Sequence, residues 1–152
     1  MKFLFMALIL IISMIGLTGC GESKKVAEKK HLTTSTENQE LKIKFADQTF
    51  ELIIENNPTT AKLIKNLPLE IDMQELNGNE KYFYFNESFP TNSINPKTIQ
   101  AGDLMLYGDN CLVLFYENFS TRYSYTRLGR IKNPENLAEV VGNGKVHIII
   151  SN

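Results

Sequence analysis

From Leu41 onward, apolar and polar positions alternate with a period of two. Leu41, Ile43 and Phe45 alternate with Lys42 and Lys44, and beyond Asp47-Gln48 the residues Phe50, Leu52 and Ile54 alternate with Thr49 and Glu51. Successive strand side chains point to opposite faces, so the pattern predicts a hairpin with one buried face. Asn57-Pro58 predicts a helix start, since Asn caps a first turn and Pro suits the first helical position. Ala61, Leu63, Ile64 and Leu67 give this helix an apolar stripe, and Pro68 ends it. Leu69, Ile71 and Met73 resume the alternation as a third strand. Asn77-Gly78 is a turn signal, and Lys81–Phe85 follows as an aromatic strand.

Residues 86–98 are polar, hold Pro90 and Pro96, and show no period. A loop of this length inside a compact domain is often functional or a crossover. Strands are expected at 103–107 and 111–117 around Gly108-Asp109-Asn110, and again at 123–131. Asn133-Pro134 repeats the cap-and-proline start for a second helix, with Leu137, Val140 and Val141 as its stripe and Gly142 as its stop. A last strand covers 146–150. About eight short strands and two short helices make a mainly-β fold, a sandwich or a closed barrel.

The N-terminus follows another rule. Lys2 precedes an apolar run, 3–17, broken only by Ser13 and Gly16. That is the charge and apolar middle of a secretory signal, slightly short of the ~20 residues of a permanent span. The run closes in Leu17-Thr18-Gly19-Cys20, which resembles the bacterial lipobox. The resemblance implies a diacylglyceryl group on the Cys20 thiol and cleavage before it. Residues 1–19 are then a lipoprotein signal peptide. Residues 20–40 are the lipidated cysteine and a tether with Lys24, Lys25, Lys29 and Lys30, expected to be disordered, with a reach of roughly 25 Å. Residues 41–152 are the folded domain. The expected location is the cell envelope, on the extracytoplasmic face of a membrane.

Composition narrows the chemistry. The chain has 152 residues and a net charge of −1, and lacks the basic stripe of a nucleic-acid binder. With Cys20 lipidated, Cys111 has no partner for a disulfide and reads as a buried, inert thiol in an apolar strand. His31 and His147 lie far apart, so neither metal nor cofactor chemistry is expected. All three arginines, Arg122, Arg127 and Arg130, fall in one segment, while every other basic residue is lysine. Arg offers a planar fork that matches a carboxylate or phosphate. In a straight strand, Tyr123, Tyr125 and Arg127 share a face able to bind an anion or stack on a ring. The same pattern also suits an arginine held structurally by Asp103 or Glu80. Tyr82 and Tyr84 alternate with Phe83 and Phe85, so one pair can line a cavity while the other packs inward. Tyr82, Tyr125, Arg127 and Arg122 are the candidate binding residues.

Three separated stretches, Glu75–Tyr82 (ELNGNEKY), Thr98–Tyr107 (TIQAGDLMLY) and Ser124–Ile131 (SYTRLGRI), resemble the bacterial cyclophilin-like domain family. The resemblance spans residues 41–152 and implies a closed eight-stranded β-barrel with short helices at its ends. Cyclophilins proper isomerise X-Pro bonds, with a site that looks like Phe-His-Arg followed by Gln and Gly-Asp. Gln100-Ala101-Gly102-Asp103 echoes the second half. Upstream stand Pro90-Thr91-Asn92-Ser93, without Arg or His, and a cation or donor near the prolyl nitrogen is needed to stabilise the twisted amide. The expectation is therefore a non-catalytic module for a small ligand, peptide or partner protein. A prolyl isomerase or chaperone-like helper for exported proteins is the alternative.

Overall fold

The structure, a computed structural model, describes residues 39–152. The expected signal peptide, Cys20 and nearly all of the expected tether lie outside the described residues. The first hairpin is β1 (Glu40–Phe45) and β2 (Gln48–Ile54), in the register that turns Leu41, Ile43, Phe50 and Leu52 inward. Helix α1 (Pro58–Lys65) starts as expected. Asn57 accepts the Thr60 N–H and Thr60 Oγ1 accepts the Asn57 N–H, a reciprocal cap. The chain continues through β3 (Leu69–Leu76), β4 (Glu80–Tyr84), β5 (Thr98–Ile99), β6 (Asp103–Tyr107), β7 (Cys111–Phe115), β8 (Phe119–Ser120), β9 (Thr126–Ile131), α2 (Leu137–Val141) and β10 (Val146–Ser151).

Eight of these strands close a barrel in the order β1-β10-β3-β4-β7-β6-β9-β2, and all its pairings are antiparallel. Every barrel strand is paired on both sides, which removes exposed edges. The core fills the lumen, with Leu104, Leu106, Leu112 and Leu114 pointing inward from β6 and β7. Leu63 of α1 packs at the end where β2 finishes. Leu137 and Val141 of α2 pack at the end where β9 finishes, and because β2 and β9 run antiparallel these are opposite ends.

The sequence expectation lacks β5 and β8 and differs from the structure in the bounds of several elements. Strand β9 begins at Thr126, not Tyr123, because the preceding segment leaves the barrel and pairs Phe119-Ser120 with Thr98-Ile99 in a separate two-stranded sheet. Helix α2 begins at Leu137. Asn133 takes a left-handed φ of 56°, and the Pro134 carbonyl accepts the Leu137 N–H, so Asn133-Pro134 makes a turn before the helix. Helix α1 stops at Lys65, two residues before Leu67.

Beneath β5 and β8 lies a second apolar cluster on the outside of the barrel. Ile99, Met105, Cys111, Val113, Phe115 and Tyr125 are its buried members. Odd-numbered residues of β6 and β7 face it, while their even-numbered neighbours face the lumen.

Candidate functional site: a tyrosine-lined groove

Strand β4 carries Glu80, Tyr82 and Tyr84 on one face, opposite Phe115, Val113 and Cys111 of β7. These partners face outward, so the Glu-x-Tyr-x-Tyr series faces outward too, while Lys81 and Phe83 point in. Tyr107 closes β6 opposite Cys111. The segment after β8 folds back over this face, and Tyr125 is fixed there by paired backbone hydrogen bonds with Ile94. The result is a groove of about 330 Å³ walled by Tyr82, Tyr84, Tyr107, Tyr123 and Tyr125, with Glu80 at one end. Five of the chain's six tyrosines stand here.

The rings are arranged rather than scattered. Tyr107 meets Tyr125 at 5.6 Å and Tyr123 at 6.0 Å between centroids, and Tyr82 meets Tyr84 at 5.7 Å. These are edge-on or tilted pairs, the geometry aromatic quadrupoles favour. Tyr125 is buried against Phe115, whereas Tyr84, Tyr107 and Tyr123 are 58%, 44% and 63% exposed. Three of the five rings thus leave aromatic surface open to water on one face of the barrel. Burial pushes both the Tyr125 phenol and the Cys111 thiol up, so Cys111 in the groove wall is a poor nucleophile.

Glu80 is the charged end of the groove. Among the described residues its carboxylate has no hydrogen bond or ion pair. Burial raises it above the usual carboxylate range, and the nearby Glu75 charge adds to the shift. A second hollow adjoins the groove and shares Asn77, Glu80, Tyr123 and Tyr125 with it. Arg122 and Asn79 line this hollow, and Asn79 Oδ1 is buried without a partner among the described residues.

The structure distributes the sequence candidates unevenly. Tyr82 and Tyr125 come together in the groove, and Arg122 lies exposed in the adjoining hollow. Arg127 does not join them. It lines a different concavity over β2 and β9 with Ile53, Ile54 and Glu55, so the shared Tyr-Tyr-Arg face does not form. Arg130 takes the structural role, its Nε and Nη2 reaching Asp103 Oδ1 at 2.7 and 2.6 Å. The buried Asp103 also accepts the Gln100 N–H at 2.9 Å. The Gln-Ala-Gly-Asp turn is thus pinned to β9 at the barrel end, outside the groove. Glu80, Asn79 and Tyr107 were missed as site residues. For Glu80 a signal existed, since it precedes Tyr82 by two and must share its strand face.

Among the described residues, no group of three or more His, Cys, Asp or Glu side chains is placed to hold a metal. No described helix is long and apolar enough to cross a membrane.

The profile of a family described as cyclophilin-like matches residues 43–151. No curated protein matches the chain. Among solved structures, the solution structure of a hypothetical protein from Archaeoglobus fulgidus is similar, with a TM-score of 0.51 and 17% identity. The match covers 75% of this chain and 94% of that one, a likeness of fold.

Proposed function

The chain belongs to the cyclophilin-like family, and from that premise we propose that it is a non-catalytic binding module whose tyrosine groove takes a peptide or small ligand. The observation that carries this reading is the gathering of five tyrosines from three separate parts of the chain onto one outer face. Core packing does not account for it, because three of the rings are largely exposed. Aromatic-lined grooves that hold a few polar groups are the usual form of a ligand or peptide site.

Tyr116 supplies an internal control. It is the one tyrosine outside the groove, and it donates a 2.8 Å hydrogen bond to Glu75. In the full chain with carbon-13-labelled tyrosine rings, a pool of random heptapeptides should shift the groove tyrosines and leave Tyr116 unmoved. No shift in the five, or an equal shift in all six, overturns the reading.

The competing reading is a prolyl isomerase. The structural employment of Gln100 to Asp103, away from the groove, weighs against it. Cis/trans exchange of an X-Pro test peptide should therefore run at its background rate. Acceleration that disappears in Tyr82→Ala would reverse this assignment.

The lipobox-like Leu17-Thr18-Gly19-Cys20 supports a workplace at the cell envelope. Lipid on Cys20 would hold the module to the extracytoplasmic face of a membrane, each buried CH₂ contributing about 0.8 kcal/mol.

A further inference from the structure

We infer that the groove selects a cation, an ammonium group presented by a small amine or by a lysine side chain, with Glu80 as its counter-charge and the tyrosine rings as its walls. The inference rests on the reading of the groove as a binding site and names the class of ligand.

Charge is the first ground. Glu80 stands at the end of the groove on the same β4 face as Tyr82 and Tyr84, and among the described residues no donor or cation satisfies it. Its neighbour Lys81, which could have neutralised it, points the other way and is fully buried against Glu75 and the Gly142 and Gly144 carbonyls. A half-buried carboxylate left without a partner is costly, and a bound cation removes that cost. Asn79 Oδ1, a buried acceptor in the adjoining hollow, is unmatched in the same sense.

The walls are the second ground. An aromatic ring is electron-rich on its face, so a tyrosine that presents its face to the cavity attracts a cation and repels an anion. The size is sufficient, since about 330 Å³ admits a quaternary ammonium group with an attached chain. The sequence alone left the arginines open between an anion, a stacked ring and a structural role. The structure turns Arg127 and Arg130 to other surfaces and leaves only Arg122 near the groove, exposed and beyond ion-pairing distance of Glu80.

The test titrates the full chain with choline, its neutral carbon isostere 3,3-dimethylbutan-1-ol, and acetate, reading the tyrosine ring signals. Choline should bind at least about tenfold more tightly than the isostere, as desolvated cation–π contact and one counter-charge allow, and acetate should not bind. Glu80→Gln should reduce the preference severalfold, leaving the part supplied by the rings, and Arg122→Ala should leave it intact or strengthen it. Since the Glu80 side chain makes no hydrogen bond among the described residues, the Gln variant should keep the fold, checked by an unmoved Tyr116 signal. A blocked Gly-Lys-Gly peptide against its norleucine counterpart separates the sources: a lysine preference identifies a peptide ligand, and binding of choline alone identifies a free amine. Equal binding of choline and its isostere overturns the cation inference, while groove shifts with the heptapeptide pool would leave the groove reading standing. Acetate binding that Arg122→Ala abolishes overturns it in favour of an anion site. Silence with every probe and with the pool overturns both.

Discussion

Glu80 and Lys81 are neighbours with opposite fates. Strand alternation sends Glu80 out to the groove, with no partner for its carboxylate among the described residues, and Lys81 into the barrel, where its ammonium meets three acceptors and lies 5.3 Å from the Tyr116 ring. Lys81→Ala should cost about 3 kcal/mol in urea unfolding, the lower end for breaking a buried pair because Glu75 keeps some access to water. Glu80 should behave the other way. Its folded pKa is raised, first by burial and then by Glu75 on β3, with Arg122 the nearby opposite charge. The folded state therefore holds this proton more tightly than the unfolded chain. The stability this adds is complete below the unfolded carboxylate range and is lost as pH rises through the raised value. Glu80→Gln should accordingly melt higher than wild type at neutral pH, with the gap closing in acid. At this scale the tyrosines and arginines were visible in the sequence as unusual residues. Their partners were not, because a partner is chosen by the pairing of strands far apart in the chain.

At the scale of elements, period-two patterns and turn residues located the barrel strands, and Asn57-Pro58 located α1. Failures came where an element is too short to show a period, as in the two-residue strands β5 and β8, or where a familiar dipeptide served another turn, as at Asn133-Pro134. Strand β9 is irregular in one further respect. Its register against β6 slips between Leu104 and Met105, so Gly129 faces Leu104 while Arg127 faces Met105. Gly129 also lies where β2 passes very close: a Cβ there would stand 2.3 Å from the Ile53 carbonyl oxygen and 2.9 Å from Ile54 Cα. Both obstacles are backbone and cannot rotate away. Gly129→Ala should cost about 3 kcal/mol, the upper part of the overpacking range, read as a fall in urea midpoint with unchanged slope. Asn57→Ala should cost less, about 1–2 kcal/mol, although Asn57 also donates a 2.9 Å hydrogen bond to the Arg127 carbonyl and so ties α1 to β9.

At the scale of the whole molecule, strand counting left a sandwich and a barrel open, and the family resemblance favoured closure. The groove could not be read in advance, because β4, β6 and the segment after β8 meet only once the barrel is closed. The proposed attachment to a membrane yields its own test: mass spectrometry of the protein from the membrane fraction should find Cys20 at the N-terminus carrying a diacylglyceryl group, and an unmodified Cys20 with residues 1–19 still attached overturns it.

The ring order has a practical side. The chain enters the barrel on β1, and β7, the floor beneath the tyrosines, stands four places round the eight-strand ring, on the far wall. A dye or chip surface coupled at Gln39→Cys, next to that entry strand, should leave the aromatic face unobstructed. A probe placed there would make an immobilised sensor of this protein without crowding what it senses.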